Sequence, residues 1–297
     1  MREIESVVAA LERRLDNALR DIGSMVIAFS GGVDSALVVA AAGRLANPAN
    51  LAVTADSASL ATGELHDCEA LAQQLGVAWQ PAHTTELDDE RYIKNDTDRC
   101  YWCKTALMDQ LAPIAARRNA TVVLGVNLDD LGEHRPGQNA ASERGARFPL
   151  VEAGFTKADV RRLANAWDVP VWDRPSMPCL ASRVPYGTAV SIPLLSRIDR
   201  AEAALKKLGL RDVRVRHYDD TARIEVPAAD IATVAEHADY IHTTLAAIGY
   251  RYVTLDLAGL RSGNLNHVLA DPQRSHEAVR TDNPTQDLTD EASPAGV

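Results

Sequence analysis

An α/β fold, with a doubly wound, mostly parallel sheet followed by a second, smaller α+β domain, is what this sequence predicts. Three observations carry that expectation. Short apolar runs alternate with helical patterns over the first two thirds of the chain. A strand pattern, a Gly-Gly turn and a helical pattern follow one another between Met25 and Leu45, and the rhythm changes past Pro193. At 297 residues, with 46% hydrophobic and 24% charged residues, the chain suits two domains and has the composition of a soluble globular protein.

Taken in order, Val7, Val8, Leu11, Leu15 and Leu19 recur at helical spacing and predict a helix over 3–22. Strands are expected over 25–29, 51–55, 77–80 and 121–126, the last wholly apolar. Helices are expected over 36–46, 62–75 (stopped by Gly76), 105–118 and 156–167, the last with a Thr156-Lys157-Ala158-Asp159 cap. Such alternation places ligands at the carboxyl ends of the strands. Beyond Pro193 a helix over 194–208 ends at Gly209, and runs over 213–217 and 222–226 read as a hairpin around Tyr218-Asp219-Asp220-Thr221. A helix over 230–248 and a strand over 252–257 close the second domain. The expected division is 1–191, then 192–270, then a polar, proline-bearing tail, 271–297, that reads as disordered.

No apolar run approaches the roughly 20 residues of a membrane span, and the N-terminal pattern is a charged amphipathic helix rather than a signal peptide. A cytoplasmic protein is expected, with no membrane partner. The net charge of −10 argues against a nucleic-acid partner, which calls for a basic face. In a reducing compartment the four cysteines, Cys68, Cys100, Cys103 and Cys179, read as metal-binding or catalytic thiols before disulfides.

The most informative segment is Ser30-Gly31-Gly32-Val33-Asp34-Ser35. Successive N–H groups in a glycine turn, beside a positive helix end, make a nest for a polyphosphate. The glycines admit the anion, Ser30 and Ser35 add hydroxyl donors, and Asp34 beside phosphate makes sense as a Mg²⁺ ligand. The segment lacks the Lys-Ser/Thr pair of a Walker A loop, and the chain lacks the dinucleotide G-x-G-x-x-G. It resembles the PP-loop of ATP pyrophosphatases, which cleave between the α- and β-phosphates.

Arg99-Cys100-Tyr101-Trp102-Cys103-Lys104 precedes the expected 105–118 helix; its C-x-x-C pair suits metal binding, dithiol redox chemistry or neither. The polar 95–99 run before it argues against a thioredoxin-like strand, and His66, His83 and His134 are scattered. Cys179 falls in Arg174-Pro-Ser-Met-Pro-Cys-Leu-Ala-Ser-Arg-Val-Pro-Tyr-Gly187, a proline-fixed loop rich in functional side chains. Arg174 and Arg183 are placed there to contact anions and to favour a thiolate at Cys179. Cys68 shares a helix face with Leu65, Leu71 and Leu75 and reads as core.

The Cys179 segment resembles that of the LarE family of ATP-dependent sulfur transferases. The resemblance continues at Gly125-Val-Asn-Leu-Asp-Asp-Leu-Gly132, Arg135-Pro-Gly137, Arg214-Val-Arg216 and Ala222-Arg-Ile-Glu225, so it spans 25–259. It implies a homo-oligomeric enzyme, hexameric in the family, which uses ATP to adenylylate a pyridinium carboxylate mononucleotide and then inserts sulfur, in nickel-pincer nucleotide biosynthesis. It further implies that Cys100, Cys103 and Cys179 hold a [4Fe–4S] cluster whose open iron carries an extra sulfide; family members with only the last cysteine sacrifice its sulfur instead. By the same resemblance, 30–35 bind pyrophosphate, with Asp34 the Mg²⁺ ligand and a catalytic residue with Cys179, Ser182 and Arg183. Arg214 and Arg216, which share a strand face, hold the substrate phosphate.

Several roles stay open. Asn127, Asp129 and Asp130 contact nucleotide or metal, or cap their loop. Trp102 stacks on a ring or wedges the cysteine loop. Glu202 and Asp230 match family acids at the substrate and the metal, or serve as surface and capping residues. The competing functions are a tRNA thiolase, disfavoured by charge; an amidating PP-loop ligase, which has no use for three thiols; and a non-catalytic iron–sulfur or nucleotide sensor.

Overall fold

The computed structural model describes residues 2–132 and 136–261. The chain opens with α1 (Arg2–Ile22), whose Leu11, Leu15 and Leu19 are buried, then β1 (Met25–Ala28) and α2 (Val33–Arg44). Next come β2 (Leu51–Asp56), α3 (Glu64–Gln74), β3 (Ala78–His83), α4 (Glu90–Ile93), α5 (Arg99–Arg118) and β4 (Thr121–Leu124). Then α6 (Pro136–Glu143), α7 (Pro149–Glu152) and α8 (Lys157–Ala166) lead to the cysteine segment and α9 (Ile192–Lys206). The last elements are β5 (Arg214–Tyr218), β6 (Thr221–Glu225), α10 (Ile231–Glu236), α11 (Ala238–Ile248) and β7 (Tyr252–Leu255).

The first sheet is wholly parallel, in the order β3-β2-β1-β4. Its side chains alternate between two cores, as a sheet covered on both faces requires. Met25, Ile27, Ala52 and Val123 join Leu15, Leu37 and Leu163 on one face. Val26, Val53, Val122 and Leu124 join Met108 and Leu111 on the other. The chain steps outward from β1 to β3 and then returns to β4 on the opposite side of β1. That reversal opens a crevice at the carboxyl ends of β1 and β4, the place where such sheets bind ligands.

The second sheet has the order β5-β6-β7; β5 and β6 form the expected antiparallel hairpin, and β7 runs parallel to β6. Ala201, Leu205, Val215, Ile224, Ile241 and Leu245 fill its core. A further cluster, Tyr92, Leu180, Ala181, Val184, Leu195 and Ile198, packs the cysteine segment between α4 and α9. Residues to Leu260 form one compact unit.

Several elements differ from expectation for identifiable reasons. α5 begins at Arg99 rather than Thr105, so the C-x-x-C pair lies inside the helix; its first turn is too polar to show apolar periodicity. α2 begins at Val33, which puts Asp34 and Ser35 in its first turn. β3 runs past Pro81 to His83, because an edge strand tolerates a missing N–H. The expected 230–248 helix breaks at His237 into α10 and α11. The expected tail 271–297, His134 and the Arg135 end of the Arg135-Pro-Gly137 match lie outside the described residues. Among the described residues, no helix is long and apolar enough to cross a membrane.

Candidate active site

The loop from Ser30 to Ser35 sits at the end of β1, facing the crevice. Gly31 has φ +71°, and a Cβ there would stand 3.0 Å from the Cys68 Sγ. Gly32 caps α2 in an extended conformation with no side-chain hydrogen bond, which leaves the first amides of the helix for an anion. Ser35 Oγ accepts from the Ser30 amide at 3.3 Å and donates to the Gly32 carbonyl at 3.0 Å, closing the loop on itself. From β4, Gly125 touches the same turn: a Cβ on it would be 2.6 Å from the Ser35 amide nitrogen.

Asp34 is the loop's acid. Its Oδ1 accepts from Asn127 Nδ2 at 3.0 Å and its Oδ2 from Lys157 Nζ at 2.5 Å. Asn127 is 1% exposed and Asn127 Oδ1 accepts from the Asp129 amide at 2.9 Å, while Asp130 accepts from the Asn127 amide at 3.2 Å. Asp129 also accepts from the Lys157 amide at 2.9 Å. Both acids therefore order their loop and the start of α8, and Asn127 reaches the phosphate-loop carboxylate. Lys157 escaped the sequence reading, which saw only a helix cap. The cap is present as a full capping box. A lysine in the first turn of a helix opposes the dipole, and that was the available signal that it answers to an anion.

Three further thiols come from α5 and from the segment before α9. Cys100 and Cys103 are one turn apart on α5, and Gly137 of α6 packs on the Cys100 carbonyl, which a Cβ would approach to 2.9 Å. Burial pushes the Cys103 thiol up to about 12, and the nearby Cys179 adds to the rise. Cys100 is exposed as a residue, yet desolvation of its sulfur by the groups around it raises the thiol, the Arg99 guanidinium pulls it back, and Cys179 raises it again. The three thiols thus share one neighbourhood, although among the described residues no group of three or more His, Cys, Asp or Glu side chains is set to hold a metal ion. As a donor set, three cysteines fit an iron–sulfur cluster, and Asp34 with phosphate oxygens and water fits Mg²⁺. Cys68 is buried in the core beneath Gly31, as expected.

Charged residues flank Cys179. Arg183 is buried and pairs with Glu202, Nε to Oε1 at 2.8 Å and Nη2 to Oε2 at 3.0 Å. Its Nη1 donates to the Cys179 carbonyl at 3.2 Å and to Ser182 Oγ at 3.0 Å, so it shapes the segment from within. Arg216 is equally buried: it pairs with Glu225 at 3.0 Å and donates to the Ser182 carbonyl at 2.6 Å. Glu225 also holds Arg223 at 2.8 Å. Arg214 is half-buried and donates to the Ser176 carbonyl at 3.3 Å; burial, Arg216 and Arg183 all push its pKa down. Of the two strand-face arginines, Arg214 is the one that lines a cleft. Asp230 lies between β6 and α10 and makes no cap hydrogen bond with its side chain.

Two clefts meet here. The first runs from the phosphate loop past Lys157 and Arg174, and the second past Arg183, Lys206 and Arg214. Glu64, Pro175, Ser176 and Met177 line both. Burial raises the Glu64 carboxyl against the pull of Lys206, Arg183 and Arg174. Trp102 is held, not loose: Arg91 covers one face at 3.6 Å, Nε1 donates to Asp98 at 2.9 Å, and Tyr101 meets the ring edge-on at 4.9 Å.

Residues 5–124 match the asparagine synthase family model. The chain is 42% identical over 265 residues to an uncharacterised protein of Synechocystis sp., covering 87% of this chain and 99% of that one. It is 37% identical over 270 residues to the pyridinium-3,5-bisthiocarboxylic acid mononucleotide synthase of Lactiplantibacillus plantarum, covering 90% of this chain and 98% of that one. The chain belongs to the LarE family. An uncharacterised protein of Methanocaldococcus jannaschii is 26% identical over 239 residues, covering 80% and 91% of the two chains. As a LarE-family member the protein is an ATP-dependent sulfur-transferring enzyme built on a PP-loop α/β domain.

Proposed function

We propose that this LarE-family enzyme activates the carboxylate of a pyridinium carboxylate mononucleotide with ATP and converts it to a thiocarboxylate, a step of nickel-pincer nucleotide biosynthesis. The observation that carries the reading is the meeting of the phosphate-loop cleft and the Arg214 cleft along Pro175–Met177, directly before Cys179. The loop amides and Lys157 take the β- and γ-phosphates, and the substrate phosphate goes to Arg214 in the second cleft, with Arg216 behind it. The substrate carboxylate oxygen attacks the α-phosphorus, the bond to the bridging oxygen breaks, and pyrophosphate leaves with the electron pair. Asp34 would hold Mg²⁺, which would supply charge neutralisation for the leaving pyrophosphate.

The resulting acyl-adenylate lies beside the thiols. A hydrosulfide-level sulfur adds to its carbonyl carbon, the bond to the AMP oxygen breaks with AMP taking the electron pair, and a thiocarboxylate remains. Were the Cys179 Sγ itself the attacker, a thioester would form first and its Cβ–S bond would break with loss of the Cα proton, leaving dehydroalanine. Holding both partners in one cleft is worth up to about 7–11 kcal/mol of barrier when they are aligned. Cys100, Cys103 and Cys179 would hold the [4Fe–4S] cluster, which supplies a site for an exchangeable sulfide when bound. Ser182 and Arg183 fix the carbonyls around Cys179, Glu202 anchors Arg183, and Trp102 keeps the C-x-x-C turn in place. We assign Asn127 and Asp129 to the positioning of Asp34 and Lys157, and the enzyme is read as a homo-oligomer in the cytoplasm.

The test is anaerobic purification with iron and sulfide analysis, followed by assays of pyrophosphate and thiocarboxylate on the carboxylate substrate. Cys179→Ser should still release pyrophosphate while losing thiocarboxylate. A protein that releases no pyrophosphate with this substrate class is not this enzyme. An iron-free anaerobic protein that still makes thiocarboxylate, and gains dehydroalanine at position 179, uses the sacrificial route instead.

A further inference from the structure

Arg99 opens α5 and is only 5% exposed. Its Nη1 donates to the Ala181 carbonyl at 2.9 Å and to Asn95 Oδ1. The guanidinium therefore spans from the helix that carries Cys100 and Cys103 to the segment that carries Cys179. Asn95 is itself fully buried and donates to the carbonyls of Pro185 at 2.7 Å and Thr188 at 2.9 Å, so the seat of the guanidinium is built rigidly.

The other buried arginines on this side of the molecule have carboxylates: Arg183 has Glu202 and Arg216 has Glu225. Among the described residues no carboxylate forms an ion pair with Arg99. Burial pulls its pKa down, and Cys179, Cys100, Tyr92 and Tyr186 nearby more than offset that, so that it ends raised. Tyr92 is buried and hydrogen-bonded to Ser59 Oγ at 2.5 Å, and burial raises its pKa far above neutral pH. Tyr186 is raised by burial as well. Neither phenol supplies an anion. A buried cation with only neutral hydrogen-bond acceptors is expensive to keep, and this one bridges the two segments that carry the cysteines, which points to sulfur made anionic by a bound metal as its counter-charge.

We propose that Arg99 is the built-in counter-charge of the sulfur centre, a buried guanidinium set against the net negative charge of an iron–sulfur cluster held by Cys100, Cys103 and Cys179. The proposal rests on the cluster reading above and adds a residue which that reading does not require. A fixed positive charge beside a cluster favours the added electron and raises its reduction potential. The same charge favours arrival of a further anionic sulfide. Arg99 acts through the cluster and is a positioning residue.

The experiment uses the full chain, purified anaerobically, beside R99Q and R99K, with thermal melting to verify the fold. The readouts are iron and sulfide per chain after a chelator challenge, and the midpoint potential of the cluster. R99Q should shift the potential to more negative values and lose iron several-fold faster, and R99K should return most of both. An unmoved potential in R99Q, or an R99K as shifted as R99Q, overturns the counter-charge role. Unsubstituted protein that takes up no iron sinks the cluster reading and this proposal together, so the two failures are told apart. Should R99Q not fold, the metal-free unsubstituted protein is capped with iodoacetate or with iodoacetamide, groups alike in size but not in charge. The carboxymethylated protein should melt higher; equal melting overturns the proposal.

Discussion

Lys157 shows how chemistry can hide inside a structural signal. Thr156 and Asp159 make a capping box, and that reading alone explains the segment. The lysine between them ties Asp34 at 2.5 Å and, once phosphate enters, is positioned to follow the larger negative charge. Lys157→Met should lower pyrophosphate release by about 100-fold or more, the scale of removing one charge-stabilising donor, with little change in melting temperature because the pair is partly exposed. Steady-state pyrophosphate assays check it, and unchanged turnover would remove Lys157 from the site. Other site residues were legible only by type. The sequence marked Arg183 as a cation near Cys179 and Arg216 as a cation for the substrate phosphate, but not that buried Glu202 and Glu225 already neutralise them. Such pairings depend on approach across the fold, which residue spacing does not encode.

At the scale of elements, the phosphate loop works because two backbones meet without side chains between them. Gly125 of the β4 end lies against the first turn of α2, with room for a hydrogen but not for a methyl group. Gly125→Ala should force those elements apart, lower stability by about 1–3 kcal/mol and weaken ATP binding more than it weakens binding of the mononucleotide. Urea unfolding and nucleotide titration would show it; equal loss for both ligands would mean general damage. Thr156→Ala is milder, costing about 1 kcal/mol through the lost cap and misplacing Lys157. The parallel strands β1, β2 and β4 were readable because they bury apolar side chains on both faces, and α8 because its cap is explicit. The start of α5 was not, since Arg99, Cys100 and Lys104 break any apolar stripe. The short helices α4, α6 and α7 also went unread, because four to eight residues give too little periodicity.

On the scale of the whole molecule, the cysteine segment depends on a buried ion pair anchored in α9, next to the second sheet. The Arg183–Glu202 pair is nearly unexposed, and Glu202 Oε1 also accepts from the Val215 amide of β5 at 3.0 Å. Removing the carboxylate charge strands a buried guanidinium, so Glu202→Gln should cost about 3–5 kcal/mol and loosen the segment that bears Cys179. The second sheet adds a pH dependence of its own. His217 is 6% exposed, packs its ring 5.8 Å from that of Tyr250, and has a buried Nδ1 with no partner. Burial lowers its pKa below the ordinary 6.5, Arg197 lowers it further, and Asp219 and Asp220 oppose them in part. The unfolded chain therefore takes up this proton before the folded one does. The stability that neutral His217 contributes is present above pH 6.5 and drains away as the pH falls toward and through the lowered folded value. Urea midpoints measured from about pH 7.5 down to about pH 5.5 should fall, and His217→Gln should fall less over the same range. Parallel curves for the two proteins would show that the histidine keeps its ordinary affinity for protons in the fold, and that the packing around β5 admits water.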